Sequence, residues 1–186
     1  GEIGTFKLVL TAPRVDGVYN EKFKILAEDR QWMSDSATFS IGITVSNPYN
    51  ATINSIKAYS DSSRTTPTNF RIKTGSTTYW RLSAKNIGAN SWNQSTAKLG
   101  TANPRDRTSS LSNDSWLSGA RVTRLSQSSV AKNASGTFDY IIEAPDTEQS
   151  LNEYFALLSE GSSWMPNSTF SVRLSFVDAL DKLKRS

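Results

Sequence analysis

Residues 4 to 33 of this chain return without a gap as residues 136 to 165, an offset of 132. Gly4-Thr5-Phe6 reappears as Gly136-Thr137-Phe138, Ala12-Pro13 as Ala144-Pro145, and Asn20-Glu21 with Phe23 as Asn152-Glu153 with Phe155. Leu26, Glu28 and Trp32-Met33 come back as Leu158, Glu160 and Trp164-Met165, making 12 identities in 30 positions. After a slip of one residue, Thr38-Phe39-Ser40 matches Thr169-Phe170-Ser171. Self-similarity at this distance marks a repeated structural unit, so it is read before any local pattern. It predicts that residues 1–46 are the closing half of one unit and that residues 54–177 form a complete second unit. Residues 47–53 are then a linker and residues 178–186 a tail or linker.

Both copies alternate apolar and polar residues with the period of two that half-buried strands require. Phe6, Leu8 and Leu10 share one face, as do Phe138, Tyr140 and Ile142. Ala12-Pro13 and Ala144-Pro145 stop that strand, because proline cannot donate to a ladder. Phe23 and Ile25 begin a second strand and Phe39, Ile41, Ile43 and Val45 a third, so each half-unit reads as three antiparallel strands. Upstream in the second unit, Trp80, Leu82 and Ala84 share a face. That strand ends at Asn86-Ile87-Gly88, where Asn and Gly are expected to supply the positive φ of a tight turn. Short strands at such intervals predict an all-β sandwich. The polar stretch from about Gly100 to Ser118 reads as a long loop, and long loops carry function disproportionately.

The chain has no cysteine and no histidine. Disulfides, thiol nucleophiles and most zinc sites are therefore impossible, and so is the usual base of Ser-His-Asp or Cys-His catalysis. No catalytic residue, metal site or cofactor is assigned, and the chain is not expected to be an enzyme. No apolar run is long enough for a membrane helix. A net charge of +4 suits weak attraction to anionic polymers, although a merely solubilising surface is the simpler reading. The basic residues form no DNA- or RNA-binding motif, so nucleic acid is not expected as a partner.

Tyr79-Trp80-Arg81-Leu82, Asn86-Ile87-Gly88, Trp92, Trp116 and Trp164 together resemble the four-tryptophan Ig-like domain first named for the autophagy receptor next to BRCA1. Trp32 stands where the fourth tryptophan of a preceding unit falls. Leu99-Gly100-Thr101, Asn103-Pro104-Arg105-Asp106-Arg107, Ser110, Arg121 and the segment from Ala144-Pro145 to Trp164 are closest to the bacterial branch. The resemblance implies a tandem immunoglobulin-like β-sandwich, one unit partial and one complete. It also implies an accessory module of secreted or cell-surface proteins with no enzymatic activity and no common ligand. Lys73-Thr74-Gly75 replaces the usual Pro-Gly before the second strand.

Candidate ligand-binding residues are Trp92 and Trp116, near loops, with Arg105, Arg107 and Arg121. Exposed aromatics stack on sugars or anchor a protein, and arginines grip carboxylates or phosphates bidentately. The competing readings are that the loop tryptophans pack against the sandwich end and that Asp106 ties an arginine to hold the loop. Trp32, Trp80, Trp164, Phe6, Phe23, Phe138 and Phe155 are assigned as structural aromatics. Glu21, Glu28, Glu153 and Glu160 recur in both copies, which favours a shared structural role such as binding strand-end amides over glycosidase chemistry.

A three-stranded half sandwich cannot bury its apolar face alone, and its edges invite pairing. Its completion is expected from residues upstream, from residues 47–75, or from strands donated by another molecule. The function this implies is a structural or adhesive module of a bacterial cell-surface or extracellular assembly, a stalk, fibre or adhesin able to polymerise by strand complementation. Its partners would be proteins or copies of itself. The alternative is a glycan- or peptidoglycan-binding accessory domain of a secreted cell-wall hydrolase.

Overall fold

A computed structural model of the chain describes residues 3–12 and 17–178. Pro13 and the tail beyond Asp178, to which sequence analysis gave a strand stop and a linker, lie outside the described residues. The chain divides into two compact units, Gly1–Asn47 and Pro48–Ser186.

In the first unit, β1 (Gly17–Lys24) runs antiparallel to β4 (Thr38–Val45) with Phe23 opposite Phe39. Their rings stack at 5.4 Å between centroids. Between them, β2 (Leu26–Ala27) and β3 (Gln31–Trp32) form a short hairpin that sets Leu26 opposite Trp32. The Met33 amide closes it by donating to the Ile25 carbonyl at 3.0 Å. A 3-10 turn at Asp35–Ala37 leads into β4, and Lys24 Nζ reaches Asp35 Oδ1 at 2.7 Å. The strand expected to carry Phe6, Leu8 and Leu10 is not formed: residues 3–12 join no ladder. The reason is visible in the second unit, where the corresponding residues are held by a partner strand that the first unit lacks.

The second unit opens with β5 (Ala51–Tyr59), β6 (Pro67–Thr68), β7 (Arg71–Lys73) and β8 (Thr77–Asn86). Next come β9 (Trp92–Asn93), β10 (Ala97–Thr101), β11 (Arg121–Arg124) and β12 (Ser129–Val130). The repeated segment supplies β13 (Ser135–Glu143), β14 (Gln149–Ser159), β15 (Ser163–Trp164) and β16 (Phe170–Val177). One sheet runs β13-β8-β5-β6 and the other β11-β10-β14-β16-β7, with β15 paired to β14. All strand pairs are antiparallel except β16 with β7. β13 lies along β8 over its whole length, from Ser135 opposite Lys85 to Glu143 opposite Thr77.

This is an all-β architecture of packed sheets, and the alternation says why they pack. On β8, Thr78, Trp80, Leu82 and Ala84 are buried while the residues between them are not; β13 buries Gly136, Phe138, Tyr140 and Ile142 in the same way. Two sheets with one apolar face each remove that surface from water by facing one another. Tyr140 meets Phe155 across the interior at 5.9 Å, and each is flanked within its own sheet, Tyr140 by Trp80 at 5.9 Å and Phe155 by Phe170 at 5.6 Å. On the outer face, the Arg81 guanidinium grips the Asp139 carboxylate through Nε at 2.7 Å and Nη2 at 2.8 Å, tying β8 to β13.

Two details differ from expectation. β5 begins at Ala51 and Asn50 is already buried, so the anticipated linker at residues 47–53 is partly strand. Residues 47–75, considered as a cover for the first unit, instead supply β5, β6 and β7 to the sheets of the second. At Asn86-Ile87-Gly88 no residue has positive φ. The fully buried Asn86 instead donates to the carbonyls of Asn90 at 2.9 Å and Val130 at 3.1 Å, while its Oδ1 accepts from the Gly88 amide at 3.0 Å. Gly88 is required by close approach, since a Cβ there would lie 2.7 Å from both the Asn50 nitrogen and the Pro48 oxygen. The positive φ of a turn falls on Gly75, at +64°, which keeps its place although the usual preceding proline is absent.

Candidate functional site

Among the candidate binding residues, Arg107, Trp116 and Arg121 meet β14 or the residue just past its end, reached from the loop between β10 and β11 and from the start of β11. β10 lies beside β14 with Thr101 opposite Phe155 and Ala97 opposite Ser159. The loop then folds back over the end of the sandwich. The Ser109 amide donates to Gly119 at 3.0 Å, and Leu111 and Trp116 are buried.

Glu153 stands two residues before Phe155 on the same face of β14, pointing into the covered end of the core. It is 2% exposed. Arg107 donates to its carboxylate through Nη2. Arg107 is itself fixed: its Nε donates to the Ala102 carbonyl at 3.1 Å, and Thr101 Oγ1 donates to the Arg107 carbonyl at 2.6 Å. Burial pushes the Glu153 carboxyl up from its ordinary value, and Arg107 pulls against that rise.

Glu160 lies past the end of β14, near the outer face of the same sheet. Arg121 forks onto it through Nε at 2.9 Å and Nη2 at 3.3 Å, and Lys98 Nζ adds a contact at 3.3 Å. The hydrogen bonds from Arg121 hold the Glu160 carboxyl below its ordinary value. The remaining Arg121 nitrogen, Nη1, reaches Asp106 at 2.5 Å. The Trp164 ring has the guanidinium carbon of Arg105 at 5.2 Å and that of Arg121 at 5.4 Å, within the range of cation–π attraction. Gly100 allows this, because a Cβ there would sit 2.8 Å from the Trp164 ring. A shallow cleft of about 190 Å³ is lined by Arg121, Leu158, Glu160 and Trp164.

Arg105 and Arg121 are thus brought together at Trp164, while Arg107 stands apart on Glu153, and two of the three are spent inside the chain. Asp106 does tie an arginine, and the partner is Arg121. Arg105 is exposed, and among the described residues no ion pair engages it. Trp92 and Trp116, offered as ligand-stacking residues, are 0% and 6% exposed, respectively. Trp92 packs against Phe138 at 6.2 Å, and Trp116 donates from Nε1 to the Ile141 carbonyl at 2.9 Å. Neither keeps a face for a ligand, because each ring fills the space between loop and sheet. The structural aromatics Trp80, Phe138 and Phe155 are fully buried and Trp164 is half-buried. Phe23 is half-buried, whereas Phe6 is 70% and Trp32 60% exposed, because no second sheet lies over them within their unit.

Of the repeated glutamates, Glu153 and Glu160 both accept from arginine, and Glu153 also has a backbone hydrogen bond from Tyr154. Sequence reasoning passed over Lys98 and Gly100. The signal for the arginine pairs was the recurrence of both glutamates at positions 132 apart.

No protein-family model matches the chain, and no curated protein matches it. Among solved structures, one similar chain is a "Putative bacterial DNA binding protein" from Bacteroides vulgatus. It is 12% identical over 87% of this chain and 69% of that one, with a TM-score of 0.27. So loose a likeness carries no argument. Among the described residues no helix is long and apolar enough to cross a membrane.

Proposed function

We propose that this chain is a non-enzymatic, structural or adhesive immunoglobulin-like module of a bacterial cell-surface or extracellular assembly, built from tandem copies of one unit. The observation that carries the reading is how the groups suited to ligand capture are used. Trp92 and Trp116 lie in the core, and Arg107 and Arg121 are bound to Glu153, Glu160 and Asp106. A surface whose loop tryptophans are buried and whose guanidinium groups, Arg105 apart, are paired within the chain holds itself rigid instead of stacking on sugars.

Strand order supports the immunoglobulin-like part. One sheet ordered β13-β8-β5 and another ordered β11-β10-β14-β16 match the E-B-A and C′-C-F-G arrangement of such sandwiches. The tandem part draws support from register. Phe23 opposite Phe39 becomes Phe155 opposite Phe170, and Leu26 opposite Trp32 becomes Leu158 opposite Trp164. The Met33 amide bond to Ile25 recurs as Met165 to Leu157.

A titration of the chain with soluble peptidoglycan fragments, followed by acrylamide quenching of tryptophan fluorescence, tests the reading against a glycan-binding domain. Unchanged quenching is expected. Saturable protection that is lost in Trp164→Ala or Arg105→Ala would give the site to a glycan and overturn the structural role.

A further inference from the structure

The 12 identities of the repeat are unevenly spent. In the second unit, Gly136, Phe138, Ala144, Glu153, Phe155, Leu158 and Met165 are buried, and Glu160 and Trp164 are held by arginines. Eight of the twelve positions that recur touch residues 77–130. β8 pairs with β13, β10 pairs with β14, Arg107 meets Glu153, and Arg121 meets both Glu160 and Trp164. Exposed and half-buried neighbours have changed: Lys22 and Arg30 stand where half-buried Tyr154 and exposed Ser162 stand.

In the first unit the same residue types stand on the same ladder with nothing of that kind opposite them. Glu21 and Glu28 are exposed, and among the described residues neither enters an ion pair. Trp32 is 60%, Leu26 46%, Met33 44% and Phe39 42% exposed. Phe6, Leu8, Phe23, Leu26 and Phe39 line an apolar hollow of about 180 Å³. Solvated surface has no use for a carboxylate on each of two faces beside an uncovered tryptophan.

We infer, on the tandem reading above, that the first unit is a docking surface for a polypeptide segment of the same kind as residues 77–130. This segment supplies a strand patterned like Tyr79-Trp80-Arg81-Leu82 alongside residues 4–11. It also supplies a strand and loop carrying two arginines, one for Glu21 and one for Glu28 beneath Trp32. Charge complementarity selects it, since two acidic groups and an uncovered indole call for guanidinium groups placed as Arg107 and Arg121 are placed. The source is a further unit of this sequence type, not residues 77–130 of a second copy. Those residues are already closed on β13 and β14 of their own chain, and exchange would break a ladder running from Ser135–Lys85 to Glu143–Thr77.

The offset of 132 fixes the test, because residue 133 corresponds to residue 1. Residues 48–132 are fused directly ahead of Gly1 in the full chain, which delivers a covering segment in frame. Hydroxyl-radical footprinting of Trp32 and Met33 and hydrogen exchange over residues 17–45 are then compared with the unfused chain. A severalfold fall in oxidation and slower exchange are expected. Glu21→Arg with Glu28→Arg in the fused chain should abolish both effects, and Arg107→Glu with Arg121→Glu in the added segment should restore part of them. Unchanged footprints in the fused chain would overturn the inference, as would charge reversals without effect. Concentration-dependent protection of Trp32 in the unfused chain would do so too, by naming a second copy as the occupant. The peptidoglycan titration reports separately on the structural reading, so failure of one is told apart from failure of the other.

Discussion

Glu153 is a carboxylate 2% exposed whose charge is tolerated because Arg107 donates to it. Burial raises its pKa, so the fold disfavours the charged form, and stability falls as pH rises from the ordinary carboxylate range through the raised value. Arg107 limits that fall. Arg107→Ala is therefore expected to cost about 3 to 5 kcal/mol near neutral pH, the range for stripping one partner from a buried pair. The loss should shrink toward about pH 4, where an unpaired Glu153 takes up a proton. Urea unfolding at both pH values checks this; an equal loss at each would mean that the guanidinium acts only by packing. Gly88→Ala should cost about 1 to 3 kcal/mol by overpacking, because the atoms met at 2.7 Å are backbone and cannot swing aside. Asn86-Ile87-Gly88 was legible as a turn, but not the hydrogen-bonding hub that explains it: Asn86 is tied to Val130, 44 residues away. The arginine pairs were hidden for the same reason. Arg107 and Glu153 stand 46 residues apart, and no local pattern announces that a loop folds back over a strand.

Among the elements, strands were read best, because a period of two leaves its mark wherever one face is buried. β8 and β13 follow their alternation residue by residue, and the Phe39 to Val45 and Phe170 to Phe176 runs both became strands. The strand at residues 6–10 failed because alternation records which face is to be buried, not whether a partner is present to pair. The loop from β10 to β11 was legible as long and polar, yet its work is structural: Trp116 fastens it to the Ile141 carbonyl and meets Phe155 at 6.4 Å. Trp116→Ala should cost about 3 to 5 kcal/mol, and proteolysis of the variant should begin between residues 102 and 120. Cleavage elsewhere first would detach the loop from that tryptophan. The turn between β5 and β6 offers an acid probe. Amide donation from Thr66 at 2.6 Å and from Thr65 at 3.1 Å holds the Asp61 carboxyl at about 2 instead of 3.8. Its stabilising contribution is present above the ordinary value and lost as pH falls from there through the lowered one. Carbon-detected NMR titration should place Asp61 at the bottom of the carboxylate series, and Asp61→Asn should erase that part of the acid dependence.

At the scale of the whole chain, the compact units meet after Asn47, whereas the repeat predicted a first unit ending at residue 46, a linker over 47–53 and a second unit from residue 54. What it did not convey is how unequal the units are. In the second unit the core runs from Ala51 to Phe176, with Trp80, Trp92, Phe138 and Phe155 wholly buried, whereas no described residue before Asn50 is buried at all. Cooperative stability comes from apolar area removed from water, and fewer than 50 residues without disulfide, metal or partner bury too little of it. Residues 48–178 alone are therefore expected to unfold in one cooperative transition with the midpoint of the full chain. In the full chain, backbone amides of β8, β13 and β14 should exchange only through global opening, while those of β1 and β4 exchange orders of magnitude faster. Hydrogen exchange followed by mass spectrometry separates the two outcomes. Equal protection of Gly17–Lys24 and Ser135–Glu143 would mean that the first unit closes by means other than a covering segment, and the unburied glutamates and tryptophan of its sheet would then have no claim on arginines from elsewhere.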